Sequence, residues 1–348
     1  MRKDLTVAPT LALLIASTGS AFAADLPSRK EAYIPPPPPP PLWTGFYAGL
    51  NAGYGFGANG NVYNSPVYTS PAISSFDSSE NGPIIFPAAL MGNRTGSLND
   101  IISLSNLAAN AGVASVNQHG FIGGGQIGYN FQWGQSFVIG IEADIQGAGI
   151  RGTGQSSGAA ALSASGPYST TTATSVGMSR INAGVDWLGT VRGRIGYLFT
   201  PTLLVYATGG LSYGGVHADV TNYATTALTT NYDLSRGLRV VPVFSLAPDA
   251  TYTFFGGGQR SSTLVGWNAG GGLEWMFSPN WSVKAEAFYW DLGNLNLPTA
   301  SVAAAPVSGN RFGGYQAATS IGYTRVNYAG VVARAGLNYH FNWGSLLH

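Results

Sequence analysis

No cysteine occurs among the 348 residues, which excludes a disulfide framework, thiolate chemistry and any Cys-ligated metal site. Charge is almost as scarce. Asp, Glu, Lys and Arg make up 9% of the chain, against roughly 25% in a typical soluble protein, so a water-facing surface of this size would be short of charge. Beyond residue 23 there is no run of about 18 apolar residues, which excludes a transmembrane helix. A secreted, charge-poor, greasy chain without such a helix has one membrane-spanning solution left, the closed β-barrel.

What the chain does contain begins with a secretory signal. Arg2 and Lys3 form its positive start, residues 5–16 its apolar core, and Ala21-Phe22-Ala23 an A-x-A cleavage site. Cleavage after Ala23 removes Arg2, Lys3 and Asp4, taking the 16 basic and 15 acidic residues to 14 of each. That balance argues against nucleic-acid or polybasic membrane binding. Residues 24–42 include the unbroken prolines 35–41, which lack amide donors and extend as polyproline II. They read as a stiff periplasmic leader, or as a ligand for a proline-binding partner, ahead of a barrel over residues 43–348.

Residues 186–199, DWLGTVRGRIGYLF, show the strand pattern most clearly. At a period of two, Trp187, Gly189, Val191, Gly193, Ile195 and Tyr197 share one face, while Leu188, Thr190, Arg192, Arg194 and Gly196 share the other. An apolar face with an aromatic residue at each end suits a strand crossing a bilayer, and the arginines then face a lumen. The first strand, residues 43–56, puts Phe46, Ala48, Leu50, Ala52 and Tyr54 outward and Tyr47, Gly49 and Asn51 inward. Three hairpins follow, turning at Trp133, Pro201 and Pro279, and a last strand over residues 328–341 carries Arg334, Asn338 and His340 inward. The expectation is an all-β fold: an eight-stranded antiparallel transmembrane β-barrel with short periplasmic turns and long extracellular loops. The loops are placed at residues 57–118, 151–182, 217–262 and 297–325. In the first, Leu98, Ile101, Ile102 and Ala108 follow Ser97 at helical spacing and suggest a short helix over the mouth. Aromatic girdles are expected from Trp43, Tyr129, Trp133, Trp187, Tyr197, Trp267, Trp275, Trp281, Tyr339 and Phe341.

The signal ending AFAADLP, the polyproline leader, the opening WTGFYAGLNAGYGFG, the strand WLGTVRGRIGY and the close LNYHF together resemble the outer-membrane immunogenic protein family of alphaproteobacteria, small porin-like barrels. The similarity covers the strands between Trp43 and Phe341 and not the loops. It implies an eight-stranded barrel in the outer membrane of a Gram-negative bacterium, in contact with outer-membrane lipid and lipopolysaccharide and inserted by the barrel-assembly machinery through its C-terminal strand. Chains of this kind often end on the aromatic that this machinery reads. Here seven residues, 342–348, follow Phe341.

Projected inward, the strands collect Glu142 and Asp144, Arg192 and Arg194, Glu274, Lys284 and Glu286, and Arg334: four acids facing four bases. Two readings follow, a buried ion-pair core that fills a narrow barrel and a narrow selective pore. Histidines are the best catalytic candidates, with His119 before the second strand and His217 after the fifth, but no spacing singles out a Ser-His-acid triad. His217 and Asp219 alone make weak metal evidence, and the two Gly-Gly-Gly runs lack the strand-helix context of a phosphate loop. No catalytic residue, metal or cofactor is therefore expected, and nothing signals oligomerisation, so a monomer is. The leading function is a structural, surface-exposed barrel with at most limited solute passage. Its rivals are a ligand- or host-surface-binding protein acting through loops 57–118 and 217–262, and a lipid A-modifying enzyme.

Overall fold

The computed structural model describes residues 42–58, 60–67, 73–77, 84–86, 98–165, 169–232, 250–307 and 314–341, all within one unit, Pro41–His348. The signal and its cleavage site, the leader up to residue 41 and the tail at 342–348 lie outside the described residues.

The described residues form twelve antiparallel strands and one helix: β1 (Gly45–Gly57), β2 (Asn61–Val67), β3 (Ile73–Asp77), β4 (Ile84–Phe86), α1 (Leu98–Asn110), β5 (Gly112–Ser115), β6 (His119–Trp133), β7 (Phe137–Ser165), β8 (Ser169–Thr200), β9 (Leu203–Tyr232), β10 (Thr251–Ser278), β11 (Trp281–Val307) and β12 (Gly314–Phe341). Eight of them pair in the order β1-β6-β7-β8-β9-β10-β11-β12, and β1 pairs with β12 from Phe46↔Phe341 to Gly57↔Gly330, which closes the ring. β2 pairs with the outer half of β12, and β5 with β2, so they carry the wall on where β1 and β6 have ended. β3 and β4 form a hairpin on β12.

At one end of the ring the connections β6–β7, β8–β9 and β10–β11 are short: residues 134–136, 201–202 and 279–280. Gly134 sits at φ +66, a left-handed turn position that glycine occupies without strain. At the other end the strands run far past the length a bilayer needs. β7 to β12 span 27 to 32 residues each, where about 9–11 suffice to cross.

This corrects the loop assignments. Much of 151–182, 217–262 and 297–325 is paired strand, and 57–118 contributes β2 to β5 and α1. His217 accordingly lies inside β9 and not beyond a strand end. The cause is visible in the ladders: these Ser/Thr/Ala/Gly-rich runs look loop-like by composition, yet Thr favours strands and its hydroxyl pairs across them. Ser163 and Thr172 Oγ atoms lie 2.8 Å apart, Thr171 and Thr230 3.1 Å, and Ser175 and Thr226 2.6 Å.

Side chains alternate along each strand. On β7, Phe137, Ile139, Ile141 and Ile145 are exposed outward, while Val138, Glu142, Asp144, Gln146 and Ile150 are buried inside. Arg151 is the first outward charge on β7, and the seven outward positions before it, Phe137 to Gly149, are all apolar or glycine; at about 3.3 Å per residue and a tilt near 45° this stretch spans about 30 Å, the thickness of a hydrocarbon core. Outward aromatics pair at both margins of this belt, as with Trp281 and Tyr339 (5.1 Å between ring centroids) at the short-turn end and Trp267 and Tyr289 (5.4 Å) at the other. Tyr129, Trp133, Tyr197, Trp275 and Phe341 are likewise exposed, and Trp187 is half-buried.

Trp43 departs from the expected girdle. It is fully buried, donates its indole N–H to the Pro201 carbonyl (3.0 Å) and packs with Val138, Leu198, Leu204, Tyr206 and Met276, because the chain enters the ring from inside before β1 begins.

Two irregularities re-aim strands at the outer margin of the belt. In β8 the register shifts between Val185 and Trp187. Ile181, Ala183 and Val185 point inward before the shift, and Leu188, Thr190, Arg192 and Arg194 after it, leaving Asp186 outside. In β11 the shift falls between Asp291 and Gly293, with Gly293 at φ +81, and the inward set changes from Phe288, Trp290 and Leu292 to Leu295 and Leu297.

Candidate functional site: the filled interior of the ring

At mid-belt the ring's interior carries the eight charges. β7 supplies Glu142 and Asp144, β8 Arg192 and Arg194, β10 Glu274, β11 Lys284 and Glu286, and β12 Arg334, each on the inward parity of its strand. All eight are at most 4% exposed. Arg192 lies at the centre: its Nη2 is 2.5 Å from Glu142 and 3.1 Å from Asp144, and its Nη1 is 2.9 Å from Glu286. Arg334 reaches Asp144 at 2.8 Å and Glu286 at 2.6 Å. Lys284 Nζ sits 2.9 Å from Glu142, and Arg194 2.7 Å from Glu274. Four cations thus meet four carboxylates, and their formal charges cancel. A buried charge is tolerable only when it is paired and its remaining valences are hydrogen-bonded.

The groups that complete the pairing are ones a charge-based reading passes over. Tyr47 donates to Glu142 (2.6 Å) and accepts from Arg194 (3.1 Å), Tyr206 donates to Glu286 (2.9 Å), Thr190 to Asp144 (2.8 Å) and Asn338 to Glu274 (2.7 Å). Phe288 receives the guanidinium groups of Arg192 and Arg334, each 4.9 Å from its ring centre. Inward parity was the signal available for all of them: Phe288 follows Lys284 and Glu286 at i+2 on the same face.

Apolar layers lie on both sides of the ionic one. Toward the short turns is the Trp43 cluster. Toward the long end is a larger one that includes Ile122, Ile150, Leu188, Trp290, Leu295 and Val332. Beyond that, α1 is enclosed by the extended wall, packing against β2, β7, β8, β9 and β12 instead of lying over the mouth. Ile101, Ile102, Ser103, Ser105, Asn106 and Leu107 are all buried, covering most of the helix surface. Asn106 donates to Ser320 (2.5 Å), and Ser175 to Ser105 (2.7 Å). Tyr252 lies in the same apolar cluster as Ile101 and Ile102, and burial raises its phenol above the ordinary value.

The histidines fall apart as a catalytic set. His119 lies on the outer face beside the Tyr54 ring (6.2 Å). His217 Nδ1 is 3.1 Å from Asp186, which also pairs with Arg151 at 2.7 Å, and among the described residues no serine hydroxyl bonds to it. His340 Nε2 is 2.8 Å from Ser282 Oγ and 3.4 Å from Glu274, but Ser282 also lies 2.6 Å from Glu274 and all three are buried between the ionic layer and Trp43. A serine bonded to a carboxylate and shut away from solvent has no access to a substrate.

A closed antiparallel ring with an apolar outer belt and a charged, filled interior is the organisation of an outer-membrane β-barrel. Sequence relatives make the same placement: the chain is 30% identical over 325 residues to the 31 kDa outer-membrane immunogenic proteins of Brucella melitensis biotype 1 and Brucella suis biovar 1, covering 92% of this chain and 94% of each relative. The chain belongs to the outer-membrane immunogenic protein family, and its place is the outer membrane. No protein-family model matches it. Among solved structures it aligns with the outer membrane protein OprG from Pseudomonas aeruginosa (10% identity, 86% of this chain and 97% of that one, TM-score 0.28) and with Ail of Yersinia pestis (8%, 84% and 99%, TM-score 0.23). It also aligns with the outer membrane protease OmpT from Escherichia coli (9%, 85% and 97%, TM-score 0.26). Scores this low carry no weight beside the pairing of the strands themselves.

Proposed function

We propose that the protein is an eight-stranded transmembrane barrel whose short turns face the periplasm and whose long strands stand out from the cell surface. Its role is structural and surface-presenting, and its lumen passes little. The observation that carries this reading is the unbroken filling of the interior: the Trp43 cluster, the eight-charge layer, the Leu188–Trp290 cluster and α1 follow one another along the same lumen. An open pore would need a continuous polar path, and here two apolar layers interrupt it. The belt contacts outer-membrane lipid and lipopolysaccharide, β12 presents the last strand to the assembly machinery, and the molecule acts as a monomer. Liposomes loaded with an impermeant polysaccharide, carrying the folded protein and diluted into an iso-osmotic small sugar, should swell no faster than protein-free ones, while a general porin swells them at once. Rapid swelling would refute the reading. Orientation is tested separately: in this cysteine-free chain, Ala159→Cys, exposed on the outward face, should react with a membrane-impermeant maleimide on whole cells and Thr202→Cys should not.

The polar outer extension favours one further reading, a surface that binds. Residues 217–232 and 251–262 enter it as wall strands, and β2 and β5 from 57–118 supply the part of that wall beside β12.

A further inference from the structure

Just beyond the outer aromatic margin, β2, β12 and β11 lie side by side and their outward residues form three cross-strand rows. Tyr63, Arg325 and Asn296 make one row, since Tyr63 pairs with Arg325 and Arg325 with Asn296. Asn327 and Asn294 face each other in the row nearer the belt, and Tyr323 lies in the row farther out. These side chains line a groove of about 880 Å³. Its aromatic members are open, Tyr63 at 49% and Tyr323 at 46% exposed.

The groove is basic and short of partners. Arg325 spends one N–H on Asn296 Oδ1 (3.2 Å), and Arg260 reaches the Asn296 carbonyl from β10 (2.8 Å), crossing a stretch where the β10–β11 ladder is interrupted between Gly257 and Trp267. Neither arginine meets a carboxylate among the described residues, in contrast to Arg151, which is spent on Asp186. On the groove floor the side-chain amide oxygen of Asn327, Oδ1, is buried without a hydrogen-bond partner. A buried polar atom left unpaired is costly, and a ligand hydroxyl supplies what it lacks.

Two open tyrosine faces, carboxamides on the lining and the floor, and the Arg325 guanidinium with free N–H donors match one ligand chemistry: a sugar ring bearing a phosphate or carboxylate, stacked on an aromatic face and held by forked hydrogen bonds. Height selects the source. Asn294 and Asn296 stand three and five residues beyond Asp291, which pairs with Trp267 of the aromatic margin. At about 3.3 Å per residue and a tilt near 45°, that is about 7 to 12 Å above the belt, the level of the first sugars carried by an outer-leaflet lipid. We propose that this groove binds the anionic core sugars of lipopolysaccharide in the protein's own membrane. The proposal rests on the outward orientation given above.

The test uses the full mature chain folded in detergent, with deacylated, phosphorylated core oligosaccharide as probe and calorimetry or tyrosine fluorescence as readout. The unmutated protein should bind it, Arg325→Gln and Tyr323→Ala should each weaken binding about tenfold or more, and dephosphorylated core should bind as weakly as Arg325→Gln does. Arg151→Gln, outside the groove lining, should bind like the unmutated protein. Heat-modifiable migration on gels reports whether each variant keeps its barrel, and the whole-cell maleimide assay reports orientation, so a failure of the site is separable from a failure of the fold or of its placement. No saturable binding by the unmutated protein, binding unchanged in both groove variants, or tighter binding of a sulfated heparin fragment than of core would each overturn the proposal.

Discussion

Arg192→Ala is the most informative single change, because Arg192 is fully buried and touches three of the four carboxylates in the layer. Its loss leaves four acids with three bases and opens a space beside Phe288 where the guanidinium had packed. Removing one partner of a buried pair costs about 3–5 kcal/mol, because the desolvated charge left behind is uncompensated. The exposed pair Arg151–Asp186, with side chains 49% and 47% accessible, is the internal comparison: such pairs contribute about 0–1 kcal/mol. Equilibrium unfolding in urea of the protein folded in lipid, followed by tryptophan fluorescence, should place Arg192→Ala about 3–5 kcal/mol below the unmutated protein and Arg151→Ala within about 1 kcal/mol of it. Adding Glu286→Gln to Arg192→Ala should recover part of the loss by restoring the charge balance. Equal effects from Arg192→Ala and Arg151→Ala would refute the reasoning, since burial would then have no bearing on what the pairs contribute.

Other consequences are checked on the same preparation. Val191→Arg, on the outward face at mid-belt, should cost roughly 2–4 kcal/mol, while Val176→Arg, outward but beyond the belt, should cost about 0–1 kcal/mol; equal costs would move the membrane boundary. Trp43→Ala empties a fully buried site and should cost about 3–5 kcal/mol despite lying before the first strand, whereas a girdle residue in its place would lose far less. Deleting residues 98–110 should leave the ring able to fold, since closure runs through β1 and β12, and heat-modifiable migration should persist; loss of folding would make α1 part of the ring's stability.

Legibility in the sequence followed the physics of each region. Within the belt the period-two pattern had to be strict, because lipid on one side and a narrow interior on the other leave no tolerance for a misplaced charge; hence Val191 and Arg192 could be assigned to opposite faces directly. Outside the belt that pressure is gone. Ser, Thr, Ala and Gly alternate there without contrast between faces, so β7 beyond Arg151 reads as a loop although it is paired to its end. Asp186 and Gly293 hide a further shift: a bulge reverses the inward parity without changing composition, and only pairing with β9 and β12 reveals it. Trp43 was misread because its type fits a girdle, while its place, ahead of β1, puts it under the ring. Tyr47, Thr190 and Tyr206 were on the right face but carry no formal charge, so a search for opposite charges could not collect them.

The central claim is that the interior is filled, and planar-bilayer recording tests it most directly. The unmutated protein should show rare, small openings, and Arg192→Ala with Arg194→Ala should raise their frequency while the apolar layers still keep conductance low. A large, steady, ohmic conductance in the unmutated protein, insensitive to the double substitution, would contradict the account.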